Sequence, residues 1–242
     1  MSTPEVSLLR GFALTSGSVR VPLVLTAQRL VAYLAVRARP VHRPQAAARL
    51  WPDTTAARAN ANLRSALWRV QRACPRLVDA SAQQLGLAAD VVVDLHRAHS
   101  VADRLLDVSR GCDDILDAGT RGELCAEVLP DWDGEEWLII EREHYHQLRL
   151  HALEVMCDRL VAAGRHGEAV AAGLAAVRAE PLRESAHRAI IRAHLAAGNR
   201  WEAAMQYEDC RRVFRAELGL SPSAHLAELA GVDTATHGLV RA

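Results

Sequence analysis

The apolar positions at the start of the chain come in short runs. Ser7-Leu8-Leu9-Arg10-Gly11-Phe12-Ala13-Leu14 and Val19-Arg20-Val21-Pro22-Leu23 flank the turn Thr15-Ser16-Gly17-Ser18 and predict a β-hairpin. From Leu25 the spacing becomes helical. Thr26 is placed as N-cap, where its hydroxyl accepts from a first-turn amide, Leu30, Val31, Leu34 and Ala35 form the apolar stripe, and Pro40 follows the end. A short second helix fits Pro44 to Leu50, with proline in the first turn and Trp51-Pro52 closing it. Asp53, Thr54 or Thr55 caps a third helix that runs to about Cys74 and stops at Pro75. Its inward stripe is Ala59, Leu63, Ala66, Leu67 and Val70. Leu77-Val78-Asp79-Ala80 and Leu85-Gly86-Leu87 predict two small strands around Ser81-Ala82-Gln83-Gln84. A hairpin after the third of three helices is the wing of a winged helix-turn-helix.

The remainder reads as helix after helix. Val93-Asp94-Leu95 opens a helix through Leu106 with Asp94 as its cap, and the Gly/Asp/Ser-rich stretch from Val108 to Gly122 predicts a turn between helices. An internal repeat then appears. Ala163-Gly164-Arg165-His166-Gly167-Glu168-Ala169 and Ala197-Gly198-Asn199-Arg200-Trp201-Glu202-Ala203 share the frame A-G-x-x-x-E-A. Gly164 and Gly198 are about 34 residues apart, the tetratricopeptide (TPR) period. Gly164 falls in the turn, Ala169 and Ala176 lie where the paired helices approach closely, and Pro181 ends the second helix. Helix pairs of this kind bury their apolar faces only by stacking. The expected fold is therefore mainly α: a winged helix-turn-helix (α+β) over residues 1–90, then an all-α TPR-like helical-repeat domain over 91–242.

Charge changes this picture. The overall balance is zero, yet residues 1–90 hold 12 Arg against four acids (Glu5, Asp53, Asp79, Asp90), and the rest holds 17 Arg against 25 acids. A basic first third joined to an acidic remainder points to a polyanion-binding domain attached to another kind of module. The third helix focuses that charge. Arg58, Asn62, Ser65, Arg69 and Arg72 follow one another in steps of four and three on the face opposite the apolar stripe, with Arg64 on its flank. Asn and Arg make bidentate contacts to adenine and guanine edges, and Arg also grips phosphates. A merely solvated helix face competes with this reading, but such faces usually mix in Glu and Asp, and residues 56–73 contain neither. At the wing tip, Gln83 and Gln84 could reach a neighbouring groove, without a cation of their own.

Other chemistry is poorly supported. No phosphate-binding loop, dinucleotide fingerprint, nucleophile elbow or H-E-x-x-H frame is present, so no enzyme and no cofactor is expected. Cys74, Cys112, Cys125, Cys157 and Cys210 are scattered and odd in number, which suits buried free thiols, with Cys157 and Cys210 on inner helix faces. His144, His146 and His151 share one helix with Glu141 and Glu143; His144 and His151 stand two turns apart, too far to hold one ion without other ligands, and no metal site is expected. Trp132 and Trp137 are read as locking a helix start into a core. No apolar run reaches the roughly 20 residues of a membrane span, and Met1 to Arg10 lacks a signal-peptide stretch, so the expected location is the cytoplasm.

Three stretches carry a family resemblance: Leu25-Thr26-x-x-x-Leu30-Val31-x-x-Leu34, then Ala48-Arg49-Leu50-Trp51-Pro52, then Ala61-Asn62-Leu63-Arg64-Ser65-Ala66-Leu67-Trp68-Arg69. Together they resemble the DNA-binding domain of the SARP/AfsR activators, which is similar to OmpR/PhoB-type winged helices. Leu129-Pro130-Asp131-Trp132-Asp133-Gly134-Glu135-Glu136-Trp137, Leu148-Arg149-Leu150-His151-Ala152-Leu153, Glu180-Pro181-Leu182-Arg183-Glu184 and Glu217-Leu218-Gly219-Leu220-Ser221-Pro222-Ser223 resemble the bacterial transcriptional activator domain that follows it in that family. The resemblance implies an activator, nucleoid-associated, whose third helix enters the major groove of double-stranded DNA, with Thr26 among the DNA-binding residues. It also implies binding to direct repeats as a homodimer, and a loop from Trp51 through Asp53 and Thr54 to Thr55 that faces RNA polymerase. Family wings carry a basic or aromatic tip, and this Ala/Gln-rich one departs from that. The expectation is a small stand-alone member without the ATPase and sensor domains of the larger AfsR-type regulators. The competing function is a TPR-type adaptor whose winged helix binds protein.

Overall fold

The structure, a computed structural model, describes residues 3–107, 109 and 111–232. Met1 and Ser2, and residues 108 and 110 of the expected turn, lie outside the described residues. In chain order the elements are β1 (Pro4–Ser7), β2 (Ala13–Ser16), β3 (Val19–Arg20), α1 (Leu25–Arg37), β4 (Val41–His42), α2 (Arg43–Leu50) and α3 (Ala56–Ala73). They continue with β5 (Val78–Ala80), β6 (Gln84–Leu87), β7 (Val92–Val93) and α4 (Asp94–Leu106). A 3-10 turn (Asp113–Ile115) leads to α5 (Ala118–Leu124), α6 (Glu136–Ala162), α7 (His166–Ala179), α8 (Glu184–Ala196), α9 (Arg200–Leu218) and α10 (Ala224–Ala230). The chain thus has the expected class: a small β-containing N-terminal winged helix followed by a TPR-like helical array.

Two compact units form. The first joins Met1–Ser100 to Ala126–His146. It holds a four-stranded sheet in the order β3-β2-β1-β7 and a three-stranded sheet in the order β4-β6-β5. The first predicted strand is in fact two. Arg10 and Gly11 adopt positive φ (67° and 138°) and turn the chain back, so β1 pairs antiparallel with β2 and β2 pairs with β3. β7 joins the other edge of β1 in parallel. Both sheets surround α1, α2 and α3 through one core in which Leu30, Leu34, Leu50, Leu63, Leu77 and Leu85 are essentially inaccessible to solvent.

This unit runs past residue 90 for identifiable reasons. Asp94, expected as a cap, is instead the first residue of α4. Its carboxylate accepts from the Leu8 and Leu9 amides at 2.8 and 3.1 Å, fastening the helix start to the end of β1. Residues 126–146 return to the same core. Leu129 donates its amide to the Leu8 carbonyl, and Arg10 donates to that of Glu127. The Arg29 guanidinium reaches the Leu50 carbonyl and the Glu135 carboxylate, which also accepts from the Trp137 indole. Trp132 stacks on Phe12 and Trp137 meets Tyr33 edge-on, so both tryptophans anchor a helix start as expected.

The second unit comprises Val101–Cys125 and Gln147–Ala242. Its helices follow the repeat. Gly164 and Gly198 sit in equivalent turns with φ of 73° and 79°, the left-handed conformation that glycine adopts without strain. Ala169, Ala176 and Ala203 are fully buried, α7 packs on α8, and α8 on α9. Burial also pushes the Cys157 and Cys210 thiols up to about 12, which makes them inert packing groups. All five cysteines are free; four are buried and Cys125 is exposed.

A buried histidine gives this unit a pH dependence. His187 is 2 % exposed, with one ring nitrogen against the Pro181 carbonyl (2.9 Å) and the other against the Gln206 amide nitrogen (2.8 Å). A carbonyl only accepts and an amide NH2 only donates, so the ring fits as the neutral tautomer with Nε2 protonated. Burial lowers the His187 pKa below its ordinary 6.5. The unfolded chain therefore takes up the proton more readily, and the stability contributed by this group is present above 6.5 and lost as pH falls below it. Chemical denaturation should show the second unit weakening as pH falls below about 6.5, and His187→Gln should flatten that part of the profile.

Candidate nucleic-acid interface

The third helix settles in the expected orientation. Thr55 is the N-cap, its Oγ1 accepting from the Arg58 amide, and the buried residues of α3 are Ala59, Leu63, Ala66, Leu67 and Val70. The opposite face is open. Arg58, Arg64, Ser65, Arg69 and Arg72 are exposed, and Asn62 is half-buried at their edge. Because α3 packs on both α1 and α2, this face is presented on a rigid three-helix base.

Thr26 is not the cap of α1. The helix begins at Leu25, and Val24 caps it without a side-chain bond. The reason is local: the Val24 carbonyl takes the Ala27 and Gln28 amides, and the Gln28 side chain reaches back to the Leu23 carbonyl at 2.7 Å. Thr26 then lies inside the first turn, where its Oγ1 accepts from Arg69 Nη1 at 3.2 Å. That contact positions one predicted site residue with another.

Two residues were missed. Arg43, at the start of α2, donates Nε to the Ser81 carbonyl at 2.9 Å, and its amide donates to the Gln83 carbonyl. It gives the wing tip the cation that residues 81–84 lack. The only sequence hint was an arginine just before Pro44. Trp68 is 58 % exposed on α3, with the Arg72 guanidinium 5.3 Å above its ring. Its spacing of four from Arg72 was legible but unused. Such a pair holds the guanidinium over the indole by cation–π attraction.

The other predicted positions fall in two places. Gln83 and Gln84 are exposed, Gln83 in the wing turn and Gln84 opening β6. The turn is closed by Ser81 Oγ, which accepts from the Gln84 amide at 2.9 Å. Between α2 and α3, Trp51 is half-buried against the core, while Asp53, Thr54 and Thr55 are exposed. Thr54 Oγ1 donates to the Trp51 carbonyl, which shapes this loop as a discrete turn. No helix among the described residues is long and apolar enough to cross a membrane.

Comparisons with known proteins bear on the chain's sequence and fold. Residues 121–231 match the family model described as the bacterial transcriptional activator domain. The chain is 32 % identical over 158 residues to the regulatory protein AfsR of Streptomyces griseus, covering 62 % of this chain and 15 % of that protein. It is 32 % identical over 148 residues to the AfsR of Streptomyces coelicolor, covering 58 % and 14 %. The chain thus spans about a seventh of the length of these curated relatives. Among solved structures it is similar to Mycobacterium tuberculosis EmbR in complex with a low-affinity phosphopeptide, with a TM-score of 0.73 at 18 % identity over 96 % of this chain and 65 % of that one. Over residues 121–231 the chain is thus similar to bacterial transcriptional activator domains, and part of it is similar in sequence to AfsR regulators.

Proposed function

We propose that this protein activates transcription by binding promoter DNA through α3. The observation that carries the reading is the acid-free face of α3, exposed opposite a fully buried apolar stripe. In this reading Asn62 and Arg64 meet base edges in the major groove, and Arg58, Ser65, Arg69 and Arg72 hold phosphates, with Thr26 steadying Arg69. Gln83 and Gln84, with Arg43 beside them, meet the neighbouring backbone. The turn of Trp51, Asp53, Thr54 and Thr55 is the surface offered to RNA polymerase. The TPR-like module pairs protomers as a homodimer on direct repeats, in the cytoplasm and on the nucleoid. Residues 1–90 supply the DNA-binding surface and 91–242 the activator function.

Footprinting upstream of the neighbouring genes, followed by mobility shift of the full chain at graded salt, tests this. Each phosphate neutralised on binding releases counterions and contributes a slope of about −0.9 to log affinity against log salt. Three phosphate-directed arginines on α3 and Arg43 therefore predict a slope of roughly −3 to −4 per bound protomer. A chain that binds no promoter fragment at moderate salt, yet captures a protein through the same face, is the adaptor and not the activator.

A further inference from the structure

A second cluster lies in the first unit, away from α3. His99 of α4 and Glu141 and His144 of α6 bring one ligand-type atom each to within 4.8 Å of one another. His99 Nε2 stands 3.6 Å from Glu141 Oε1, and the two imidazole rings are 5.7 Å apart between centroids. We propose that these three side chains bind one divalent transition-metal ion of the zinc class, with a fourth position open to water.

The chemistry selects the ion. Two imidazoles and one carboxylate are borderline donors that suit zinc, cobalt or nickel and disfavour magnesium and calcium, which take oxygen ligands. The spacing fits as well. Zinc–nitrogen and zinc–oxygen bonds near 2.0–2.1 Å make the edge of a coordination tetrahedron roughly 3.3 Å. The separation of His99 Nε2 from Glu141 Oε1 is longer than a hydrogen bond and close to that edge. Glu141 and His144 are one helical turn apart and share a face. His99 and Glu141 are half-buried and supply two corners, and the exposed His144 supplies the third. The Tyr145 ring meets His99 edge-on at 5.4 Å and backs the imidazole on the side away from solvent. A bound ion would tie the start of α6 to α4 within this unit. The inference is independent of the DNA-binding reading.

The test uses the full chain, stripped with a chelator and titrated with Co2+ and then Zn2+. The expected result is about one Co2+ per chain with the visible d–d absorption of a four-coordinate site, displaced by Zn2+. Melting temperature should rise with free Zn2+, as for any ligand of the folded state alone. His144→Ala removes an exposed residue, so its folding is not at stake; it should abolish the spectrum. Glu141→Gln should weaken binding at least about tenfold. His151→Ala, further along α6, should change neither readout. Absence of any cobalt spectrum overturns the proposal. So does a His144→Ala chain that titrates like the parent, or a sulfur-to-cobalt charge-transfer band, which would put the ion on a cysteine.

Discussion

The double substitution Arg69→Ala/Arg72→Ala should reduce affinity for every DNA sequence by about the same factor, and flatten the salt slope by about 1.8 per bound protomer, at roughly 0.9 per phosphate contact. Both residues lie toward the C-terminal end of α3, one held by Thr26 and one over Trp68, so each guanidinium is already restrained at that surface. Such contacts set register on the duplex and carry no sequence information. Asn62→Ala and Arg64→Ala should behave differently. If they touch base edges, the cognate site alone loses about 1–3 kcal/mol, on the order of ten- to a hundredfold, while affinity for random DNA stays close to the parent's. Competition between cognate and random duplexes at two salt concentrations separates the two classes. Equal affinity for the cognate site across all these variants would falsify the assignment of α3. Thr26→Val supplies the finer check. It keeps the shape and removes the acceptor for Arg69, so it should weaken binding less than Arg69→Ala and leave α1, capped by Val24 without side-chain help, intact.

What the sequence disclosed depended on how far apart the interacting residues lie. The faces of α3 were legible because helical spacing is a local property, and 18 residues without an acid make the polar face unambiguous. The 34-residue repeat was legible for the same reason: Gly164 and Gly198 mark equivalent turns whatever surrounds them. The start of α1 was misread because Gln28 reaches back to Leu23 and displaces the expected role of Thr26, a competition that residue type alone does not reveal. The return of residues 126–146 to the first core was invisible, since it rests on contacts such as Arg29 with Glu135, 106 positions apart. The same holds for Arg43 at the wing, 38 positions from Ser81, and for His99, which completes a cluster with Glu141 and His144 from another helix. Local periodicity found the two faces of α3; only the fold found what surrounds them.

Gly173→Leu should be the most damaging single change in the second unit. Even a Cβ at this position would lie 2.5 Å from Ile190 Cγ1 and 3.5 Å from the Cys157 Sγ and the Ile190 Cα. The close approach joins three helices, α6, α7 and α8, around one glycine. Gly173→Ala is a useful calibration, because helix propensity favours alanine by about 1 kcal/mol and overpacking costs about 1–3 kcal/mol, so the two largely offset or leave a mild loss. Leucine adds volume with no further propensity gain and should sit at the upper end, about 3 kcal/mol. The corresponding test in the second repeat is Ala203→Leu at a fully buried position equivalent to Ala169, with an expected cost of about 1–3 kcal/mol. For a unit of this size each kcal/mol lowers the melting temperature by roughly 4 °C. In a stack where each helix pair leans on its neighbours, the damage should spread along α7, α8 and α9. In the proposed activator, either variant should retain promoter contact at reduced cooperativity and lose transcription in a reconstituted polymerase system. If Gly173→Leu melts with the parent, the packing of α7 on α8 is wrong at its tightest point. If Ala203→Leu instead abolishes DNA contact together with folding of the whole chain, the two units do not fold separately, and the division of labour between α3 and the helical module falls with them.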